Sequence, residues 1–247
     1  MKKLLSKQSV KKHIPRKVAD VLSFVVVIVT VALLFTSTLL ARKGSENVSS
    51  ASGFAIYKGE TEEAEASLMF NVYEGAENVE MILEILRRYS AKATFFIGGI
   101  WAEKNHKTLL DIAMEGHELG CHGYLHKDHS QMTQEQNKEE IAICCNLIKN
   151  VTGVTVKLFA PPSGAYGKAT EAACRALGQK LVMWTKDTID WRDSDVPTLV
   201  KRATKNISKG DLILMHPKSH TVTALPEIVE SYLGKGFRLV TVSEMLS

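Results

Sequence analysis

The sequence predicts an α/β protein built as a distorted seven-stranded (β/α) barrel and preceded by one transmembrane helix. Three observations predict it. An uncharged run at residues 21–41 follows a basic N-terminus; short apolar runs rich in β-branched and aromatic residues then alternate with amphipathic helical stretches; and polar residues able to do chemistry recur just after those runs. Of 247 residues, 45% are hydrophobic and 23% charged, a globular balance that excludes collagen-like and disordered classes.

Lys2, Lys3, Lys7, Lys11, Lys12, Arg16 and Lys17 precede the run VLSFVVVIVTVALLFTSTLLA, and Arg42 and Lys43 follow it. Its length matches the roughly 20 residues that cross a bilayer core as a helix. Basic residues are retained inside, so residues 1–20 are expected as a cytoplasmic basic tail, 21–41 as a signal anchor, and the rest as an extracytoplasmic domain on a single-pass protein of the cell membrane. A cleaved signal peptide is the alternative, although Leu39-Leu40-Ala41 puts a large residue where a cleavage site needs a small one.

The net charge is +4, but residues 1–50 hold nine Lys or Arg against Asp20 and Glu46, which leaves the remainder at −3. A basic patch on the folded part is therefore missing, and nucleic acid is not an expected partner. Residues 42–66 are small and polar apart from Phe54–Tyr57 and are expected to be a linker into a domain at 67–247.

Strands are expected at 67–72, 93–97, 118–121, 156–159, 180–184, 211–215 and 237–242. Helical stretches lie between them at 79–90 and 107–115, and another begins at Thr133, where Gln136 completes a capping box. Parallel α/β folds carry their chemistry at the C-terminal strand ends. Asn71, His122, Ala160, Pro161 and His216 fall there, and Asp187 lies just beyond.

His122 and His126, four residues apart in HGYLH, can turn toward one cation. His216 follows the apolar ILM run, and Asp187, Asp190 and Trp191 follow another strand as DTIDW. A carboxylate beside a histidine fixes the ring and favours its protonated form, so His216 is expected as a general acid with Asp187 as its partner. Cys121, Cys144, Cys145 and Cys174 form no CxxC or zinc-knuckle spacing; free buried thiols are expected, and a disulfide stays open in an oxidising exterior.

Residues 67–247 resemble the NodB-homology domain of polysaccharide deacetylases, carbohydrate esterase family 4. EGHELGCHGYLH is similar to the family's second motif, with Gly123 where Ser or Thr is usual; Asp187, Asp190 and Trp191 keep the fourth motif; Leu214, Met215 and His216 keep the fifth. The resemblance implies a distorted barrel in which His122 and His126 hold a divalent metal, zinc or cobalt. It implies that Asp187 tunes His216, that Trp191 and Leu214 wall an acetyl pocket, and that Pro161, Gly164 and Tyr166 contact substrate. The implied substrate is an N-acetylated cell-wall glycan, acted on by a monomer.

Two motifs depart from that pattern. The family's first motif supplies a catalytic base and a metal-binding carboxylate, and here Asn71 and Val72 stand in their places. The third motif supplies an arginine partner for the base, and here it reads Ala160-Pro161-Pro162-Ser163-Gly164. The metal is then expected to be weakly held or absent, with Glu74 and Glu77 as candidate substitute carboxylates. A subgroup with this kind of first motif occurs in spore-forming bacteria, and the chain resembles it. The expectation is a membrane-anchored N-deacetylase, with an inactive glycan-binding or wall-organising homologue as the alternative and a protein-binding assembly factor as a third.

Overall fold

The computed structural model describes residues 53–247. The expected tail at 1–20, the expected membrane anchor at 21–41 and residues 42–52 of the expected linker lie outside the described residues. Among those described, no helix is long and apolar enough to cross a membrane.

The sheet is wholly parallel and starts with β1 (Glu65–Val72), β2 (Ala93–Ile97), β3 (Glu118–Cys121) and β4 (Leu158–Phe159). It continues with β5 (Lys180–Leu181), β6 (Lys186–Asp187), β7 (Asp211–Met215) and β8 (Arg238–Leu239). Seven strands run in the order β5-β4-β3-β2-β1-β7-β6, and β8 pairs with the start of β1. The two ends of that path, β5 and β6, are joined by only residues 182–185, so the sheet must curl until its edges nearly meet. Ile56 and the 182–185 segment bridge the seam: Ile56 N–H donates to Leu181 O (2.8 Å), Met183 N–H to Ile56 O (2.7 Å) and Thr185 N–H to Leu212 O (3.0 Å). The result is an open, distorted half-barrel.

Every expected strand is present, those at 93–97, 118–121 and 211–215 with the expected limits and the other four with changed ones. The first begins at Glu65, and Phe54–Tyr57, expected in the linker, lies against the domain through Ile56 and through Arg175, whose guanidinium sits 4.1 Å from the Phe54 ring centre. β4, β5 and β8 are cut to two residues each, and β6 was not expected. Apolar content marks a buried run, but a curled sheet lets only part of that run keep ladder partners.

Alternation along β1 divides the interior into two layers. Leu68, Phe70 and Val72 face the helices with Phe95, Ile97, Ile213 and Met215, whereas Met69 packs inside the barrel with Phe96, Leu158, Ala160, Val182 and Leu212. The helices α1 (Ala76–Arg88), α2 (Gly99–Lys104), α3 (His106–Met114), α4 (Gln134–Thr152), α5 (Lys168–Leu177), α6 (Val196–Thr204) and α7 (Ser219–Leu233) cover the outer face, and α8 (Val242–Met245) follows β8. α4 starts at the expected capping box, with both the Thr133 and Gln136 bonds formed, and stops at Gly153 in the left-handed conformation.

The end of the barrel where strands begin is closed by α8. Val242 N–H donates to Thr94 Oγ1 (2.9 Å), Ser243 N–H donates to Glu118 Oε2 (3.1 Å), and Val242 and Met245 join the interior cluster. The open end is therefore the one where the strands finish. Cys121, Cys144, Cys145 and Cys174 are all free, and all but Cys145 are buried.

Candidate functional site

β3 delivers His122 to the open end and fixes its tautomer. Its Nδ1 lies 2.8 Å from Ala160 O, which can only accept, so Nδ1 carries the proton and Nε2 keeps a lone pair. That Nε2 is buried with no hydrogen-bond partner. Burial, reinforced by neighbouring His126, pushes the ring's pKa down to about 3, so it is neutral at physiological pH. His126 follows with its ring centre 5.0 Å away and a left-handed backbone, φ 54°. The loop between them is held by buried Glu140 of α4, which accepts Tyr124 N–H (3.0 Å) and Leu125 N–H (2.8 Å).

Gly123 also has a structural cause. Its φ is 74°, and a Cβ there would sit 2.9 Å from Nε2 of buried His129, leaving no room for Ser or Thr.

β7 ends at His216, and its carboxylate partner is Asp190, not the expected Asp187. His216 Nδ1 lies 2.7 Å from Asp190 Oδ1, and Asp190 Oδ2 accepts His216 N–H (2.7 Å) and Thr221 Oγ1–H (2.6 Å). Burial acts to raise the Asp190 carboxyl, but these bonds and the charge of His216 outweigh it and hold it below the usual carboxylate range. The reason for the exchange is a left-handed residue, Ile189 (φ 57°), inside DTIDW. That turn sends Asp190 into the core and leaves Asp187 on the cavity wall, accepting Ile189 N–H (2.7 Å). Burial pushes the Asp187 carboxyl up.

The end of β1 is different. Asn71 is buried and its Oδ1 has no partner. Val72 is fully buried among the helix-facing residues, so its side chain points away from the histidines. The next inward position is Tyr73, whose ring centre lies 4.2 Å from that of His126, 6.1 Å from His122 and 6.0 Å from His216. Glu74 pairs with Lys218, and Glu77 is exposed in the first turn of α1, where an acidic residue suits the helix dipole. Neither substitute carboxylate joins the histidines.

The donors gathered here are two neutral imidazoles and an amide, and among the described residues no group of three or more His, Cys, Asp or Glu can hold a metal ion. A catalytic zinc or cobalt site takes three protein ligands plus an open position. The residues do not fit such a centre.

A cavity of about 270 Å³ opens over these groups. Asn71, His126, Asp187 and His216 supply its polar lining, and Trp191, Leu214 and Gly164 its walls, as expected. Tyr73, Ser163 and Trp184 complete it and were not anticipated. Trp184 could have been found as the last inward residue of the KLVMW run. Two expected contacts lie elsewhere: Pro161 is buried at the start of a short 3-10 turn, and Tyr166 turns its hydroxyl to Tyr57 (2.9 Å). Trp191 is 52% exposed at the rim.

Residues 58–182 match the polysaccharide deacetylase family. The chain is 36% identical over 204 residues to an uncharacterized protein of Bacillus subtilis, YlxY, covering 83% of this chain and 64% of that protein, less than two thirds of its length. It is 32% identical over 171 residues to a peptidoglycan-N-acetylglucosamine deacetylase of Bacillus cereus, covering 67% of this chain and 80% of that enzyme. Among solved structures it resembles a CE4 family pseudoenzyme of Bacillus anthracis, with a TM-score of 0.76 at 31% identity, covering 79% of this chain and 70% of that one. A mutant of that pseudoenzyme with restored enzymatic activity matches at the same TM-score.

Proposed function

Since the chain belongs to the polysaccharide deacetylase family, we propose that its cavity recognises N-acetylated glycan of the cell wall, and that it does so as a binding site from which the hydrolytic step has been removed. One observation carries this reading. Where β1 should present a base and a metal-binding carboxylate, it presents Asn71 and Tyr73, and Val72 is turned into the helix layer.

An amide cannot take a proton from water near neutral pH, and general-base help is worth about 10²–10⁴ in rate. Ala160, in the place of the arginine partner, has its methyl in the apolar interior, so base and partner are absent together. What remains suits recognition. Trp184, Leu214 and Trp191 offer apolar surface to an acetyl methyl and a sugar face. His216, anchored by Asp190, keeps a polar ring at the cavity wall.

The relatives named as peptidoglycan deacetylases support peptidoglycan as the glycan, and the expected anchor at 21–41 would place the domain against it. Calorimetric titration tests the reading: N-acetylglucosamine oligomers should bind the full chain in detergent, and the same oligomers lacking acetyl groups should bind far more weakly. Equal affinity for both, or for neither, rejects it.

A second reading, metal-dependent N-deacetylation, is favoured by the free, buried Nε2 of His122 beside His126 and by the intact His216–Asp190 pair. It requires acetate release that depends on added zinc or cobalt and disappears in His122→Ala.

A further inference from the structure

We propose that Tyr73, standing where the family's metal chemistry would need a carboxylate, is the residue that holds the N-acetylated sugar, and that this site binds its ligand without a metal ion. The inference rests on the glycan-recognition reading above.

Tyr73 is at the centre of the constellation. The Tyr73, His126 and His122 ring centres form a triangle with sides of 4.2, 5.0 and 6.1 Å, and His216 stands 6.0 Å off in an edge-on arrangement. A centroid separation of 4.2 Å is ring contact, so the phenol occupies the side of the histidine pair that faces the cavity. The donor atoms left beside it do not make a divalent site.

Its position is set by the backbone around it. Gly98 lies against it: a Cβ there would stand 3.3 Å from Val72 O and 3.4 Å from Tyr73 Cβ. On the other side, Glu74 pairs with Lys218, Asn78 Nδ2 donates to Pro217 O (2.9 Å), and Gly75, at φ 71°, passes where any Cβ would strike that same carbonyl. Residues that follow β1, β2 and β7 thus frame one tyrosine.

The arrangement matches the chemistry of an N-acetyl sugar. A ring face stacks on the sugar's C–H surface, and the hydroxyl offers lone pairs to an amide N–H. Trp184 and Leu214 line the same cavity and give the acetyl methyl an apolar surface. A cavity of about 270 Å³ lies at the small end of ligand sites, the scale of one sugar unit rather than a chain.

The test is titration of the full-length chain in detergent with the N-acetylglucosamine tetramer, in EDTA and in zinc, for the wild type, Tyr73→Phe, Tyr73→Leu and Tyr73→Ala. Wild-type affinity should be the same in EDTA and zinc, Tyr73→Ala should weaken binding about tenfold or more, the scale of one lost aromatic contact, and Tyr73→Phe should fall between. Tyr73→Leu fills the space without ring or hydroxyl, so it supplies the answer if Tyr73→Ala does not fold; melting curves establish that. Wild-type binding abolished by EDTA overturns metal-free binding, unchanged affinity in folded Tyr73→Ala and Tyr73→Leu overturns the role of Tyr73, and either leaves glycan recognition standing. Failure of the wild type to bind at all overturns both.

Discussion

His216 and Asn71 stand one residue beyond the paired positions Met215 and Phe70 on adjacent strands, face the same cavity, and are supported in opposite ways. Behind His216 lies Asp190, which takes bonds from the ring, from the backbone of His216 and from Thr221. Asn71 has a buried carbonyl oxygen with no partner, and nothing on β4 replaces the missing arginine. One half of the mouth keeps the second layer of contacts that a precise polar site needs; the other has lost it and been refilled by a tyrosine. A side chain whose supporting partners persist is still positioned for a task, whereas one whose partners are gone only fills space.

This contrast is open to several tests. The largest effect is expected for Asp190→Ala, which strands two buried donors and the His216 ring. Chemical denaturation should show a loss of about 3 kcal/mol or more. Asn71→Ala, which breaks no hydrogen bond, should cost about 1 kcal/mol or less; a large loss there would erase the distinction between the halves.

The pH dependence of stability sharpens the same point. Asp190's carboxyl is depressed in the folded state, so its contribution is fully present above the unfolded carboxylate value of about 3.9 and is lost as pH falls through the lower folded value. The stability gap between wild type and Asp190→Asn should stay constant from neutral pH to about 5, then close at lower pH. An Asn71→Ala gap should show no such closure.

A smaller effect is expected for Trp191→Ala. With the side chain half in solvent, stability should change by about 0.5 kcal/mol or less, while glycan affinity falls about tenfold. The smallest belongs to Lys218→Met, which removes a partly exposed ion pair to Glu74 and should shift stability by about 0–1 kcal/mol, read from the melting curve.

Much of this was legible in the sequence, because apolar runs locate buried strands and the polar residue after each run locates the mouth. His122, His126, His216 and the DTIDW segment were placed that way. The choice between Asp187 and Asp190 was not legible, since it depends on a left-handed backbone at Ile189, a residue type that gives no warning of it. β6 was too short to register as a pattern. Tyr73 was within reach: period-two alternation through Met69 and Asn71 puts Tyr73 on the inner face and Val72 on the outer. Reading the segment as a motif, position by position, hid that alternation.

Alternation also decides how activity should be restored. A carboxylate at Val72 would enter the helix layer, whereas one at Tyr73 would face the histidines. The decisive measurement is therefore acetate release from N-acetylglucosamine oligomers with zinc or cobalt, by the wild type, by His122→Ala and by the double variant Asn71→Asp, Tyr73→Asp. The account predicts no metal-dependent release by the wild type and measurable release by the double variant. Metal-dependent release by the wild type that vanishes in His122→Ala would contradict it and establish this site as a working deacetylase.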